Sequence, residues 1–158
     1  MDTEFMDYPV TYLNYVHNNK ERNNKIIKLA EESEGAVLIL VKLIEHGKFL
    51  NFMLQKQDVV FLNGSSKLRH EKMDHRIIIA TSIFDEGIDI PRLKHLIIAG
   101  GGKSAIKTTQ RIGRVLRKFP GKEMAMVHDF ADNCKWLDNH YKERRAIYED
   151  DFEVVDVE

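Results

Sequence analysis

Apolar residues along this chain follow two alternating periods. From Glu21 to Glu34 they recur at near-helical spacing through Ile26, Ile27, Leu29 and Ala30 among charged residues. This predicts an amphipathic helix capped near Asn18 or Asn19 and ended by Gly35. Ala36 to Val41 is then an unbroken run rich in branched residues, the pattern of a strand covered on both faces. Leu43 to Gln57 returns to helical spacing through Ile44, Leu50, Met53 and Leu54, and Val59 to Leu62 reads as a second strand followed by a turn at Asn63 to Ser66. A short helix over Lys67 to Asp74 leads to a third strand at Ile77 to Ala80 and a fourth at His95 to Ala99. Ala105 to Lys118 is predicted helical and Met124 to His128 a fifth strand. A charged helix from Cys134 to Tyr148 follows, then the acidic tail 149–158. Strands alternating with helices predict right-handed crossovers and a mostly parallel sheet with helices on both faces. Ligands of such sheets gather at the carboxyl ends of the strands.

Bulk properties narrow this picture little. The 158 residues, 43% of them hydrophobic, suit one core and one domain over 1–148. The 24 basic and 25 acidic side chains nearly cancel, so attraction to nucleic acid has to come from local arrangement. The single cysteine, Cys134, excludes an intramolecular disulfide and a cysteine-rich zinc site. No apolar run approaches the roughly 20 residues of a membrane helix, and the opening segment lacks a signal-peptide pattern. An intracellular protein, free in the cytoplasm or bound to nucleic acid, is expected.

The densest chemistry lies in Gln110-Arg111-Ile112-Gly113-Arg114-Val115-Leu116-Arg117. Arg114 and Arg117 stand about one helical turn apart and project from one face. Two guanidinium forks there suit phosphate oxygens, since each makes paired charge-assisted hydrogen bonds. Taken alone, the cluster reads equally well as a solvated basic face. Upstream, directly after the third strand, stands Ala80-Thr81-Ser82-Ile83-Phe84-Asp85-Glu86-Gly87-Ile88-Asp89-Ile90-Pro91. Gly87 permits close backbone approach, Asp89 offers two acceptors suited to sugar hydroxyls, and Thr81 and Ser82 can donate to a phosphate.

In this order and spacing the two segments resemble motifs V and VI of superfamily 2 helicases. The resemblance extends to Val37 to Val41 with Lys42 and Glu45-His46-Gly47, similar to motif IV, and to Phe61-Leu62-Asn63-Gly64, similar to the next strand and turn. Glu21-Arg22-Asn23 and the helically spaced His140, Arg144 and Tyr148 are similar to the flanks of this domain in the branch of type III restriction-enzyme helicase subunits and phage recombination helicases. The resemblance implies a second RecA-like lobe, with the P-loop-NTPase fold but no P-loop of its own, belonging to an ATP-dependent DNA helicase. It implies that Arg114 and Arg117 are arginine fingers toward ATP and Mg2+ held mainly by an absent N-terminal RecA-like domain. Gln110 and Arg111 match positions that knit their helix to the interdomain cleft. Gly87 and Asp89 match positions near the ribose and phosphates, and Thr81, Lys42 and Ser82 match contacts to the nucleic-acid backbone. A chain of this kind is expected to be monomeric and inactive alone as an ATP hydrolase. One departure is the short interval between Gly64 and the third strand, where the family has a full helix.

Gly100-Gly101-Gly102-Lys103-Ser104 imitates a P-loop out of register, because Ile97 stands where the first glycine is needed. A flexible glycine turn is the plainer reading. The histidines lack paired metal spacing, so no metal site is expected; His46, His95 and His128 are expected to pack at element ends. The rival to a motor lobe is a stand-alone nucleic-acid-binding or regulatory module on the same fold, without ATPase activity.

Overall fold

The computed structural model describes residues 19–62, 74–81, 93–100, 126–130 and 141–146. Helix α1 (Lys20–Glu32) is the first predicted helix. Asn19 is its cap and accepts from the Arg22 amide at 3.1 Å, while Glu21 adds a favourable charge in the first turn. No basic residue sits in its last turn. Arg76 supplies that charge from across the fold, donating to the carbonyls of Ser33 at 2.8 Å and Ala30 at 3.1 Å. The chain leaves through Gly35 at φ +85°, a left-handed conformation that suits glycine.

Strand β1 (Ala36–Val41) is buried along its whole length, as its unbroken apolar run requires. Helix α2 (Ile44–Met53) is shorter than the predicted Leu43 to Gln57, and the predicted apolar stripe is only half right. His46, Gly47, Leu50 and Leu54 form its buried side, whereas Ile44 and Met53 fall off that side and are exposed with Phe49 and Phe52. Strand β2 (Val59–Leu62) follows, then β3 (Ile77–Thr81), β4 (Leu93–Ile98) and β5 (Met126–His128). Residues 141–146 are helical. The predicted helices over 67–74 and 105–118, most of that over 134–148, and the tail 149–158 lie outside the described residues, except that Asp74 is described and is not helical.

The five strands form one sheet in the order β2-β3-β1-β4-β5, every pair parallel. One consequence of that order is burial: β1 is flanked on both sides, by β3 and β4, and is buried along its whole length. Val37, Ile39, Val41, Ile77, Ile79 and Ile97 turn to one face, where Ile26, Ile27 and Ala30 of α1 and Leu50 of α2 cover them. Leu38, Leu40, Ile78, Ala80, Leu96 and Ile98 turn to the opposite face and are equally buried. At about 25 cal/mol per Å² of apolar surface, burial on both faces is the dominant favourable term for the sheet. Among the described residues no helix is long and apolar enough to cross a membrane.

Candidate nucleotide and nucleic-acid interface at the strand ends

Because the sheet is wholly parallel, all five carboxyl ends lie along one rim. Val41 is in register with Thr81, Leu40 with Ile98, and Ile97 with His128, so the residues that leave β1, β3, β4 and β5 are neighbours there. Two candidate nucleic-acid residues are thereby brought to adjacent strand ends. Lys42 follows β1 directly and is half-buried, and Thr81 closes β3.

Thr81 is the unusual member of this pair. Strand alternation turns its side chain to the face of Ile77 and Ile79, and it is only 2% exposed. Its hydroxyl is buried and has no hydrogen-bond partner among the described residues. A buried polar atom left unsatisfied costs about 1–3 kcal/mol, a cost expected where a ligand, and not the fold, completes the bond.

Gly100 shows what the glycine run contributes at its start. Its amide donates to the Leu40 carbonyl at 2.8 Å, tying the exit of β4 to that of β1. A Cβ here would stand 2.7 Å from the Lys42 nitrogen and 3.1 Å from the Val41 carbonyl carbon. Glycine is thus required by the close passage of two backbones, which holds Lys42 at the rim. Residues 101–104, the remainder of the P-loop imitation, lie outside the described residues, as do Ser82, Gly87, Asp89, Gln110, Arg111, Arg114 and Arg117.

Several buried polar groups brace this rim. Arg22 of α1 donates through Nη1 to the Ala99 carbonyl and lies over the Phe130 ring, 4.8 Å from its centroid. Asn23 accepts at 2.7 Å from Nε2 of His46, joining α1 to the first turn of α2 in the interior. Arg144, in helical segment 141–146, meets Asp129 just past β5. His46 packs near the start of its helix as expected, but its partner was not foreseen. His95 and His128 pair with each other across β4 and β5.

A wholly parallel sheet with the order 2-3-1-4-5, and a polar rim at its carboxyl ends, defines a RecA-like α/β domain. The model of the helicase conserved C-terminal domain matches residues 21–119, and the chain belongs to that family. It is 34% identical over 119 residues to the ATP-dependent DNA helicase uvsW of Enterobacteria phage T4, a match covering 68% of this chain and 24% of that protein. The crystal structure of T4 UvsW superposes with a TM-score of 0.74 at 25% identity, covering 94% of this chain and 36% of that one. The C-terminal domain of the DEAD-box protein Dbp5 superposes with a TM-score of 0.62 at 18% identity, covering 85% of this chain and 82% of that one, a likeness of fold. The chain spans about a quarter of the length of the curated relatives it matches. Strand β5 and Arg144 lie beyond the residues matched by the family model.

Proposed function

We propose that this chain is the second motor lobe of an ATP-dependent superfamily 2 DNA helicase, occupying 1–148 and followed by an acidic tail at 149–158. The observation that carries this reading is the buried hydroxyl of Thr81 at a strand end, unpartnered among the described residues and beside Lys42, in a chain of the helicase C-terminal family. Thr81, Lys42 and Ser82 hold the nucleic-acid backbone, by contacts to phosphate that carry little sequence information. DNA is favoured over RNA because the T4 relative bears the name of a DNA helicase.

ATP and Mg2+ belong mainly to an N-terminal RecA-like lobe, and the bound nucleotide would supply the phosphoanhydride whose cleavage drives the motor. Toward that group this chain offers guanidinium, amide and glycine positions, a donor set that fits phosphate oxygens. Arg114 and Arg117 neutralise charge on the terminal phosphate. Gln110 and Arg111 join their helix to the cleft, and Gly87 and Asp89 approach the ribose and phosphates. The lobe is a monomer that hydrolyses no ATP without its partner.

The test is binding of labelled single-stranded and duplex DNA by the chain across a salt series. Weak, salt-steep binding, reduced by Thr81→Ala and untouched by Arg114→Ala, is the expected result. Tight binding that depends on Arg114, or ATP hydrolysis by the chain alone that is lost on changing Lys103, overturns the reading.

A further inference from the structure

His95 and His128 lie on neighbouring parallel strands, and their contact is separate from the nucleotide and nucleic-acid roles proposed above. In the ladder His95 is level with Met126 and Ile97 with His128, so the two histidines sit on one face, offset by two residues along the strands. Nδ1 of His95 is 3.1 Å from Nε2 of His128. The ring planes are 18° apart and the centroids 5.4 Å apart, so the nitrogens are far closer than the ring centres and the rings meet edge to edge. One proton fits between them. A metal ion in line does not, since two zinc–nitrogen bonds of about 2.0–2.1 Å would need about 4 Å.

With both rings neutral, one of the two facing nitrogens donates and the other accepts, so a single proton lies between them. A first added proton leaves this bond in place and makes it charge-assisted. A second puts two N–H donors and two positive charges face to face at 3.1 Å.

Among the described residues little nearby would offset that second charge. Lys94, next along β4, opposes protonation of His95. On the side of α1 the Glu34 carbonyl favours it. Beyond β5, both carboxylate oxygens of Asp129 are engaged by Arg144, and one also accepts from the Phe130 amide. Further along the same rim lies the guanidinium of Arg22. The described charges around the pair are therefore mostly cationic or already committed. In agreement, burial holds both histidines below their ordinary range, aided by Lys94 at His95 and by His95 at His128.

We infer that His95 and His128 form a proton-sensitive clasp, holding β5 on the sheet while a single proton lies between the rings and releasing it when both rings are charged. β5 is three residues long and pairs only with β4 among the described strands, so the clasp acts beside the β4 ladder and the Asp129–Arg144 pair in retaining it. Its release would carry away the Asp129 and Phe130 anchors that follow it directly. The sign follows from linkage: folded values below the unfolded value of about 6.5 mean stability that is full above that pH and lost as pH falls from it.

The test is amide hydrogen exchange of the full chain at pH 7.5 and 5.5, expressed as protection factors, with thermal melts over the same range. Protection at 126–128 is expected to fall at least tenfold more than at 77–79, and His128→Gln, whose amide can donate or accept but does not titrate, is expected to flatten the acid slope of Tm. Equal losses in β5 and β3, or an acid slope unchanged in both His128→Gln and His95→Gln, overturns the inference. Should either variant fail to fold, the exchange comparison in the unaltered chain decides alone.

Discussion

Arg144 grips Asp129 with two parallel bonds, Nε to Oδ2 at 2.7 Å and Nη2 to Oδ1 at 2.9 Å, and both side chains are sealed from water at 0% and 6% exposure. The pair ties helical segment 141–146 to the end of β5. Removing one partner breaks a buried ion pair, which costs about 3–5 kcal/mol. Arg144→Ala and Asp129→Ala are each expected to lower the urea midpoint strongly. Arg144→Lys is expected to recover little, because an ammonium cannot make the paired fork. A double-mutant cycle showing no coupling would contradict this.

Thr81 separates stability from function. Thr81→Val keeps the shape and removes a buried hydroxyl that the described residues leave unsatisfied, so the chain should melt at the same or a higher temperature, by about 1 kcal/mol of stabilisation. Strand affinity should fall in the same variant. A loss of stability with affinity intact would show that the hydroxyl serves the fold.

Gly100→Ala inserts a methyl group against the Lys42 backbone and is expected to cost about 1–3 kcal/mol, as overpacking does. Since the displaced atoms belong to Lys42 and Val41, DNA binding should weaken alongside the melting temperature. Calorimetry and fluorescence anisotropy on the same sample measure both.

In a protein carrying both lobes, Arg114→Ala is expected to reduce kcat for ATP hydrolysis by about 10³- to 10⁵-fold. DNA affinity measured without nucleotide should be retained. Stopped or steady-state phosphate release is the readout, and a change confined to KM would move Arg114 from charge stabilisation to simple binding.

The strands were legible in the sequence because burial on both faces demands unbroken apolar runs, and Ala36 to Val41 and Ile77 to Ala80 leave few other uses for themselves. The start of β4 was hidden by exposed Lys94, whose polar label interrupts a run that begins at Leu93. Its aliphatic stem lies where a side chain on Gly35 would go, a contact no local pattern announces. Leu54 looked like helix and is core, but it caps α2 from outside the last turn. Of the candidate site, Thr81 and Lys42 were nominated by motif order and stand at neighbouring strand ends, while the unsatisfied hydroxyl of Thr81 depends on which face alternation gives it. The interior arginines escaped notice because their partners, the Ala99 carbonyl and Asp129, are distant or unremarkable in sequence. The resemblance of Glu21-Arg22-Asn23 and of the helically spaced His140, Arg144 and Tyr148 to family flanks was the available hint, and it spoke of likeness and not of burial.

Strand β5 also has a protective role by virtue of its position at the border of the sheet. A chain cut immediately before Met126 would leave one side of β4 with its amides and carbonyls open, along a strand that carries Leu96, Ile97 and Ile98. Such a border templates pairing with another molecule of the same kind. Three residues of modest sequence therefore cover a border of β4 that would otherwise favour pairing with another chain.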